Sequence, residues 1–396
     1  MRMKDKIEQL KDKAALEVTA HMPELKRIRD CLYQNPEVGG TEEKASALLI
    51  KTYEEHGFEV TRDFHKIPYC FRAVYDSGKP GPSIGLTSEY DALPEIGHGC
   101  GHNIIATAPM GAAFALKAVL DEIGGKVVVF GTPAEECFVS KVPLANEGAF
   151  KEVDIAMTVH PNPVNLASGK TTALDAWQVD FYGKSAHAGA HPEDGINALD
   201  AAVHFYTLIG FEKQYLKDTN IYGVFADGGE KCSVIPDHAA VKYLIRANTV
   251  KDVMKVRAMF ERCASAAAGA VGATYKIWNN EPGNMDMVTN ETLGDVFNRY
   301  YEELGGGVMP KGNSGGSTDM GDVSHVVPAI HPWIGLNCPA FNLHSKGFAD
   351  ATITAAGDMA IEVGGKALAL TAIDVLTKPE LLAAIKAEFA EAQKEW

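Results

Sequence analysis

The stretch KVVVFGTPAEE, residues 126–136, joins an apolar run to two adjacent glutamates. Consecutive β-branched and aromatic residues predict a buried strand, and Pro133 marks the turn that ends it. Glu135 and Glu136 follow at once, and adjacent carboxylates point in different directions on an extended backbone or a turn. One of them could bind a metal while the other faces a substrate and accepts a proton. The alternative is a pair of solvated acidic residues at the start of a loop or helix.

Two more apolar runs end in groups of the same kind. SIGLTSEY (83–90) runs into acidic residues, and IAMTVHP (155–161) ends near His160. Residues 103–125 read as a helix that ends at a glycine pair, and Pro109 inside it predicts a late start or a kink. Strands alternating with helices favour an α/β sheet with parallel strands, in which ligands bind beyond the carboxyl ends of the strands. We therefore expect the polar groups to meet at one edge of the sheet.

The pentapeptide HGCGH, residues 98–102, is a second source of ligands. Cys100 and His102 are two residues apart on a glycine-flanked turn, so both side chains can converge on a small volume. Thiolate and imidazole together suit Zn²⁺ or another borderline transition metal, although a buried cysteine and a backbone-bonded histidine would give the same pattern. His160 and His344, in NLHS, are further candidates. With Glu136 these groups make five donors, which exceed the needs of one catalytic zinc and suit two metals that share a ligand and a water.

The pattern changes near residue 173. Residues 173–284 read as strand, helix, strand, strand, helix, strand, which predicts a four-stranded α+β unit with two helices. After it, short motifs like those of the first part resume. We therefore expect an inserted domain at 173–284 that interrupts a catalytic domain made of residues 1–172 and 285–396. Residues 1–58 of the first segment read as helices.

Composition excludes several classes of protein. The 396 residues carry a net charge of −15, and an acidic chain without Lys/Arg clusters is a poor candidate for binding nucleic acid. No run of about 18 residues is apolar and free of charge, so we expect no membrane span. The N-terminus is charged and helix-like, unlike a signal peptide. Seven scattered cysteines without an export signal predict reduced thiols and a cytoplasmic location.

Taken together, the motifs resemble those of the amidohydrolase branch of the family-twenty metallopeptidases. This branch includes aminoacylases, hippurate hydrolases and aminobenzoyl-glutamate hydrolases, and the wording is also similar to that of β-alanyl dipeptidases. The resemblance covers nearly the whole chain in order. The motifs that carry it are SEYDALPEIGHGCGHN (88–103), GTPAEE (131–136), TVHP (158–161), GKSAHAGAHPEDGINALDA (183–201) and STDMGDVS (317–324).

The resemblance implies a two-metal, aminopeptidase-like α/β catalytic domain with an inserted α+β dimerisation or lid domain. It also implies roles for single residues. Glu135 matches the general base, Asp91 matches the acid that orients a ligand histidine, and His187 matches a histidine that reaches across the dimer to the partner's substrate. Arg246 matches a position that often binds the substrate carboxylate. The positions that match metal ligands are Cys100, His102, Glu136, His160 and His344.

The chain departs from the family pattern at two places. Ser233 stands where relatives commonly carry asparagine, so its part in the carboxylate pocket is open. The residues CFVSKVPL (137–144) replace a glycine run, which makes the loop after the glutamates bulkier and more apolar. His98 and Cys137 match no ligand position, and we interpret both as structural.

The function that the resemblance implies is hydrolysis of the amide bond of an N-acyl amino acid or a small dipeptide, of aminobenzoyl-glutamate or β-alanyl type. Two divalent ions, Zn²⁺ or Mn²⁺, would activate a water, and the chain would form a homodimer through the insert, with a heteromer as the alternative. Two other hypotheses stay open. Cys100 could be a nucleophile with a histidine base, or the chain could be a catalytically silent binding protein on the same scaffold.

Overall fold

The structure, a computed structural model, describes residues 3–313 and 316–395. The chain divides into two compact units, one made of Met1–Lys170 and Met287–Trp396 and the other of Thr171–Asp286. We number the elements along the whole chain. The helices are α1 Met3–Gln34, α2 Glu43–Glu55, α3 His102–Ile123, α4 Lys141–Asn146, α5 Ala198–Glu212, α6 Val250–Val271, α7 Glu291–Glu303, α8 Met320–Ser324, α9 Lys346–Ala351, α10 Ala355–Thr377 and α11 Pro379–Ala392. The strands are β1 Glu59–Arg62, β2 Phe71–Asp76, β3 Ser83–Ser88, β4 Lys126–Gly131, β5 Ile155–Met157, β6 His160–Asn162, β7 Ala173–Tyr182, β8 Thr219–Asp227, β9 His238–Ala247, β10 Thr274–Asn284, β11 Ala329–Ile330 and β12 Trp333–Gly335.

The first unit is built on a six-stranded sheet in the order β1-β2-β4-β3-β5-β11. Strands β4, β3, β5 and β11 are parallel, as the sequence predicts, but β1 and β2 run antiparallel at one edge, so the sheet is mixed. The predicted strand at 155–161 is also two short strands. β5 belongs to the main sheet, whereas β6 pairs with β12 in a separate two-stranded sheet. The turn between β5 and β6 carries the chain past the sheet edge to His160.

Strand β4 shows why the sheet is covered on both faces. Val127 and Val129 belong to a core with α1, α3 and α10, while Val128 and Phe130 belong to a second core on the opposite face. Alternate residues of a strand point to opposite faces, so the continuous apolar run VVVF fills both cores. Such a run is typical of a strand that is buried on both sides.

Helix α3 begins at His102, so the predicted late start after Pro109 is wrong. The helix passes through Pro109, although a proline inside a helix costs about 3 kcal/mol, because α3 packs between α1 and α10 in the core. The glycine pair ends it as predicted: Gly124 has φ +86°, and a Cβ there would lie 2.4 Å from the Pro80 carbonyl oxygen. In length and hydropathy α3 could cross a membrane, but 89% of its apolar window is buried inside the protein, as expected of a core helix.

The second unit is a four-stranded antiparallel sheet in the order β10-β7-β9-β8, with α5 and α6 packed on it. The side chains of Trp177, Phe181, Phe205, Tyr243 and Phe260 form its centre. Asn197 and Thr249 cap the two helices through their side chains. Strand β8 is an edge strand, and several of its apolar side chains are exposed.

Candidate metal centre

Five donor side chains converge from four separate segments of the first unit. Cys100 and His102 lie on the turn into α3, Glu136 follows β4, His160 begins β6, and His344 precedes α9. Within each of three overlapping groups, one ligand atom per residue lies within 4.8 Å of the others. The groups are Cys100 with His102 and His160, Cys100 with Glu136 and His344, and His102 with Glu135 and Glu136.

Cys100 is the residue that two of these groups share. Its Sγ lies 3.5 Å from His160 Nε2, and His344 Nε2 lies 3.4 Å from Glu136 Oε1 on the other side. His102 Nε2 stands 3.9 Å from the same Glu136 oxygen. The arrangement therefore has two donor sets side by side, with the thiol in a position to serve both.

Partners of the other ring nitrogen orient two of the histidines. His102 Nδ1 lies 2.8 Å from Asp91 Oδ1, and His160 Nδ1 lies 2.7 Å from the Pro161 carbonyl oxygen. A ring nitrogen that donates to a carboxylate or carbonyl leaves Nε2 as the metal-binding atom. The Glu136 N–H donates to the second Asp91 oxygen at 3.0 Å, so one buried carboxylate positions two of the predicted ligands.

The glycines and two strained residues set the local backbone. Gly101 has φ +81°, and a Cβ there would lie 2.3 Å from Pro161 Cγ, so only glycine allows the turn between Cys100 and His102. Ala134 and His344 also have left-handed φ values, +61° and +62°. Such strain at non-glycine residues is concentrated at functional sites.

The donor set fits a pair of divalent ions. His102 Nε2 and Glu136 Oε1 are buried polar atoms without a hydrogen-bond partner among the described residues, which is an expensive state for a polar group unless a ligand completes it. Burial, with the charge of Glu136, raises the pKa of the Cys100 thiol, so the thiolate form requires a cation beside it. Thiolate, imidazole and carboxylate together suit Zn²⁺ and neighbouring transition metals.

Glu135 lies in a strongly negative environment. Burial raises its pKa well above the ordinary range, and the charges of Asp319, Glu89 and Glu136 act in the same direction. In Glu136, burial opposes ionisation, but the close imidazoles of His344 and His102 outweigh it and lower the pKa. The neighbouring carboxylates are therefore held in different protonation states, one suited to accept and hold a proton and the other to bind a cation.

Three buried charged residues escaped the sequence reasoning. Lys141 is fully buried, and its Nζ lies 2.8 Å from Glu89 Oε1 and 2.5 Å from Asp319 Oδ1. Glu89 Oε2 in turn lies 3.4 Å from His102 Nε2. Lys141 stands in the stretch that departs from the family pattern, but nothing in its local sequence distinguishes a buried lysine from a surface one. Only the sheet brings it between acids that are 52 and 178 residues away along the chain.

The residues predicted in the insert lie in the second unit. His187 is exposed, and its Nδ1 accepts hydrogen bonds from the N–H groups of Gly189 and Ala190, so Nε2 points outward as the donor. The Ala188 N–H donates to the Ser233 carbonyl oxygen at 3.0 Å, which brings the His187 and Ser233 segments together. Arg246 is half-buried on β9, opposite Leu174 of β7 and Asn220 of β8. His187 and Ser233 thus share one end of the unit.

The two residues interpreted as structural differ in environment. His98 is buried, and burial lowers its pKa to about 3, so it is neutral. Cys137 is exposed beside Glu136. Neither belongs to a group of metal-binding geometry among the described residues.

Known proteins resemble this chain over nearly all of its length. It is 34% identical to the Xaa-Arg dipeptidase of Mus musculus over 97% of this chain and 93% of that protein. It is 35% identical to one of the polypeptides of the p-aminobenzoyl-glutamate hydrolase of Escherichia coli, over 61% of this chain and 54% of that polypeptide. Residues 171–271 match the peptidase dimerisation domain family.

Solved structures share the fold. An aminobenzoyl-glutamate utilization protein from Klebsiella pneumoniae superposes with a TM-score of 0.70 at 19% identity, over 90% of this chain and 97% of that chain. A dinuclear metal-binding peptidase from Bacillus subtilis superposes with a TM-score of 0.67 at 20% identity, over 90% of this chain and 99% of that chain. The predicted fold class, an α/β catalytic domain with an inserted dimerisation domain, is confirmed.

Proposed function

This chain belongs to the M20 family of metallopeptidases and amidohydrolases, and from that premise we propose that it hydrolyses the amide bond of dipeptides or N-acyl amino acids with two divalent metal ions. The family that the motifs resemble is confirmed by a relative matched over nearly the full chain. The names of the relatives, a dipeptidase and an aminobenzoyl-glutamate hydrolase, indicate the substrate class.

One observation carries the proposal. Five donors from four segments surround a shared thiol, and a further carboxylate with a raised pKa stands beside them. Cys100, His102 and His160 would hold one ion, and Glu136, His344 and the shared Cys100 the other. When bound, Zn²⁺ or Mn²⁺ ions at such a site polarise the substrate carbonyl and lower the pKa of water. The thiol favours Zn²⁺.

Glu135 is the residue that we assign to proton transfer. It follows Ala134, whose N–H donates to Glu42 Oε1 at 2.6 Å, so its backbone is fixed by a buried partner. Its raised pKa allows it to take a proton from the attacking water and to hold it until the leaving amine receives it. Asp91 serves as the positioning residue, because it touches both His102 and the Glu136 backbone.

The insert would complete the substrate site. His187 Nε2, exposed and fixed by the bonds on Nδ1, is suited to donate a hydrogen bond to the oxyanion of a partner subunit's substrate. Arg246 and Ser233 are our candidates for the substrate carboxylate, since a guanidinium fork matches a carboxylate.

Exposed apolar residues in the insert support a homodimer. The edge strand β8 presents Tyr222, Val224 and Phe225, and α5 presents Phe211, with exposures of 59%, 64%, 44% and 63%. An unpaired strand edge lined by apolar side chains is a ready surface for a second copy. The free cysteines among the described residues agree with the cytoplasmic location that we propose.

The cysteine-nucleophile alternative has one observation in its favour, the 3.5 Å separation of Cys100 Sγ and His160 Nε2. Against it, Cys100 is buried and the pKa of its thiol is raised, whereas reactive thiols have lowered pKa values. Removal of metal by a chelator, with thiol alkylation measured before and after, separates the two mechanisms. A thiol that is protected only while metal is bound, in an enzyme that the chelator fully inhibits, supports the metal mechanism.

The decisive substitution is Glu135→Gln, which keeps the size of the side chain and removes its basicity. We expect kcat to fall by about 10²–10⁴-fold while metal content stays unchanged. Glu136→Gln is the matched control, because it should lower metal content as well. The assay would use Xaa-Arg dipeptides, β-alanyl dipeptides and aminobenzoyl-glutamate. Near wild-type turnover by the Glu135→Gln protein would refute the general-base assignment.

A further inference from the structure

A second cluster of metal-binding side chains lies on the helices of the first unit, away from the predicted ligands. His21 and Glu24 are one turn apart on α1, and His56 is the residue that caps the end of α2. One ligand atom from each lies within 4.8 Å of the others. All three side chains are about one quarter exposed, so an ion can reach them from solvent.

The distances within this cluster distinguish a shared ion from a chain of hydrogen bonds. His56 Nε2 lies 2.9 Å from Glu24 Oε2, but His21 Nδ1 lies 3.8 Å from the same oxygen. A separation of 3.8 Å is too long for a hydrogen bond. Ligand atoms about 2.0–2.1 Å from a tetrahedral Zn²⁺ lie about 3.3 Å apart, so the two separations lie on either side of that value.

A single aromatic ring holds both imidazoles in place. Phe114 of α3 stacks on His56 with a centroid distance of 4.0 Å and meets His21 edge-on at 5.0 Å. The Lys117 ammonium also binds the His56 carbonyl oxygen. Packing of this kind fixes the direction of the ring nitrogens before an ion arrives, which is the condition for a preorganised site.

The neighbouring charges leave one Glu24 oxygen for an ion. Arg27 lies 3.6 Å from Glu24 Oε1, whereas both histidines face Oε2. Glu17, 3.7 Å from His21 Nε2, adds negative charge on the far side of the ring. Two imidazoles and one carboxylate match the ligand preference of Zn²⁺ and leave a position for water.

We propose that His21, Glu24 and His56 form a second binding site for a divalent transition ion, Zn²⁺ being the best match, which links α1 to the end of α2. The site uses none of the residues assigned to catalysis. Its occupancy is therefore expected to stabilise the fold without changing the reaction.

The test is elemental analysis after dialysis against low Zn²⁺, on wild-type protein and on the variants Glu24→Gln and His56→Asn. Wild type should retain one zinc equivalent more than either variant, and its melting temperature alone should rise with that extra zinc. Both variants should keep the wild-type kcat/KM. Glu24→Gln preserves the shape of the side chain, so its result holds even if His56→Asn disturbs the packing on Phe114.

His65→Asn is the matched control. His65 Nδ1 also lies against a carboxylate oxygen, at 2.5 Å from Glu147, but it belongs to no group of metal-binding geometry among the described residues. This variant should retain the full zinc content of wild type. Equal zinc content in wild type and Glu24→Gln would overturn the proposal, as would equal losses in Glu24→Gln and His65→Asn. Failure of the catalytic centre would instead appear as zinc that is insensitive to Cys100 and His102 substitutions.

Discussion

Buried carboxylates fix the loop that carries Glu135 and Glu136. Glu42 accepts a hydrogen bond from the Ala134 N–H, Asp91 from the Glu136 N–H, and Asp319 from the Lys141 N–H. All three acids are at most 1% exposed. A loop held at three backbone positions keeps its side chains in one geometry, which is what proton transfer and metal binding require.

Glu42 gives a prediction at the scale of single residues, because burial raises the pKa of its carboxyl to about 7, with the charge of Asp91 adding to the effect. An unfolded glutamate ionises near pH 4.3. Between the two pKa values the folded protein holds a proton that the unfolded chain has lost, so this residue's contribution to stability falls as pH rises toward 7. Glu42→Gln removes the titration and can still accept from Ala134.

We therefore expect the melting temperature of Glu42→Gln, relative to wild type, to rise between pH 5 and pH 8. Thermal unfolding at several pH values in that range measures it, with metal held constant in both proteins. A difference that stays constant with pH would mean that Glu42 ionises alike in the folded and unfolded states.

Among the elements, α3 is the one on which the first unit depends, since it packs against both α1 and α10 and begins at a predicted metal ligand. Small residues allow the close approach. A Cβ at Gly365 of α10 would lie 3.0 Å from the Ala108 carbonyl oxygen of α3 and 3.5 Å from Val18 of α1. Larger side chains there have no free volume to occupy.

Gly365→Val should destabilise the protein by about 1–3 kcal/mol, because its methyl groups force α10 away from α3 and α1. The matched control is Gly269→Val on α6, where a Cβ would meet nothing within 4 Å. We expect that change to stay within about 0.5 kcal/mol of wild type. Urea unfolding measures both, and equal losses at the two positions would contradict the packing argument.

For the whole molecule, the question is whether each active site is built from two subunits. The proposed roles put Glu135 in one subunit and His187 in the other. A mixture of Glu135→Ala and His187→Ala proteins then contains heterodimers in which one site has both residues intact. If both residues act within the same subunit, every site in the mixture lacks one of them.

Each variant alone should therefore be nearly inactive, while unfolding and refolding the two together should recover about a quarter of wild-type activity for random pairing in a two-fold dimer. Steady-state kinetics before and after mixing measures the recovery. Activity that stays at the level of the separate variants would show that His187 does not act across the interface. Val224→Glu, on the exposed β8 edge, should abolish both the dimer and the recovery.

The sequence by itself determined the elements whose signal is local. The alternation of strands and helices, the apolar run of β4 with its two glutamates, the four-stranded insert and the glycine pair after α3 can be read from neighbouring residues. The conjunction of short motifs also pointed to the five donors and to Glu135. These features depend on interactions within a few residues or on recurring spacing.

Only the tertiary structure decided the rest. The antiparallel edge of the sheet, the passage of α3 through Pro109, the buried Lys141 between Glu89 and Asp319, and the cluster of His21, Glu24 and His56 all join residues that are distant in the chain. In each case packing or charge pairing across elements outweighs the local preference. Pairing of that kind leaves no periodicity in the sequence, so it becomes visible only when the chain has folded.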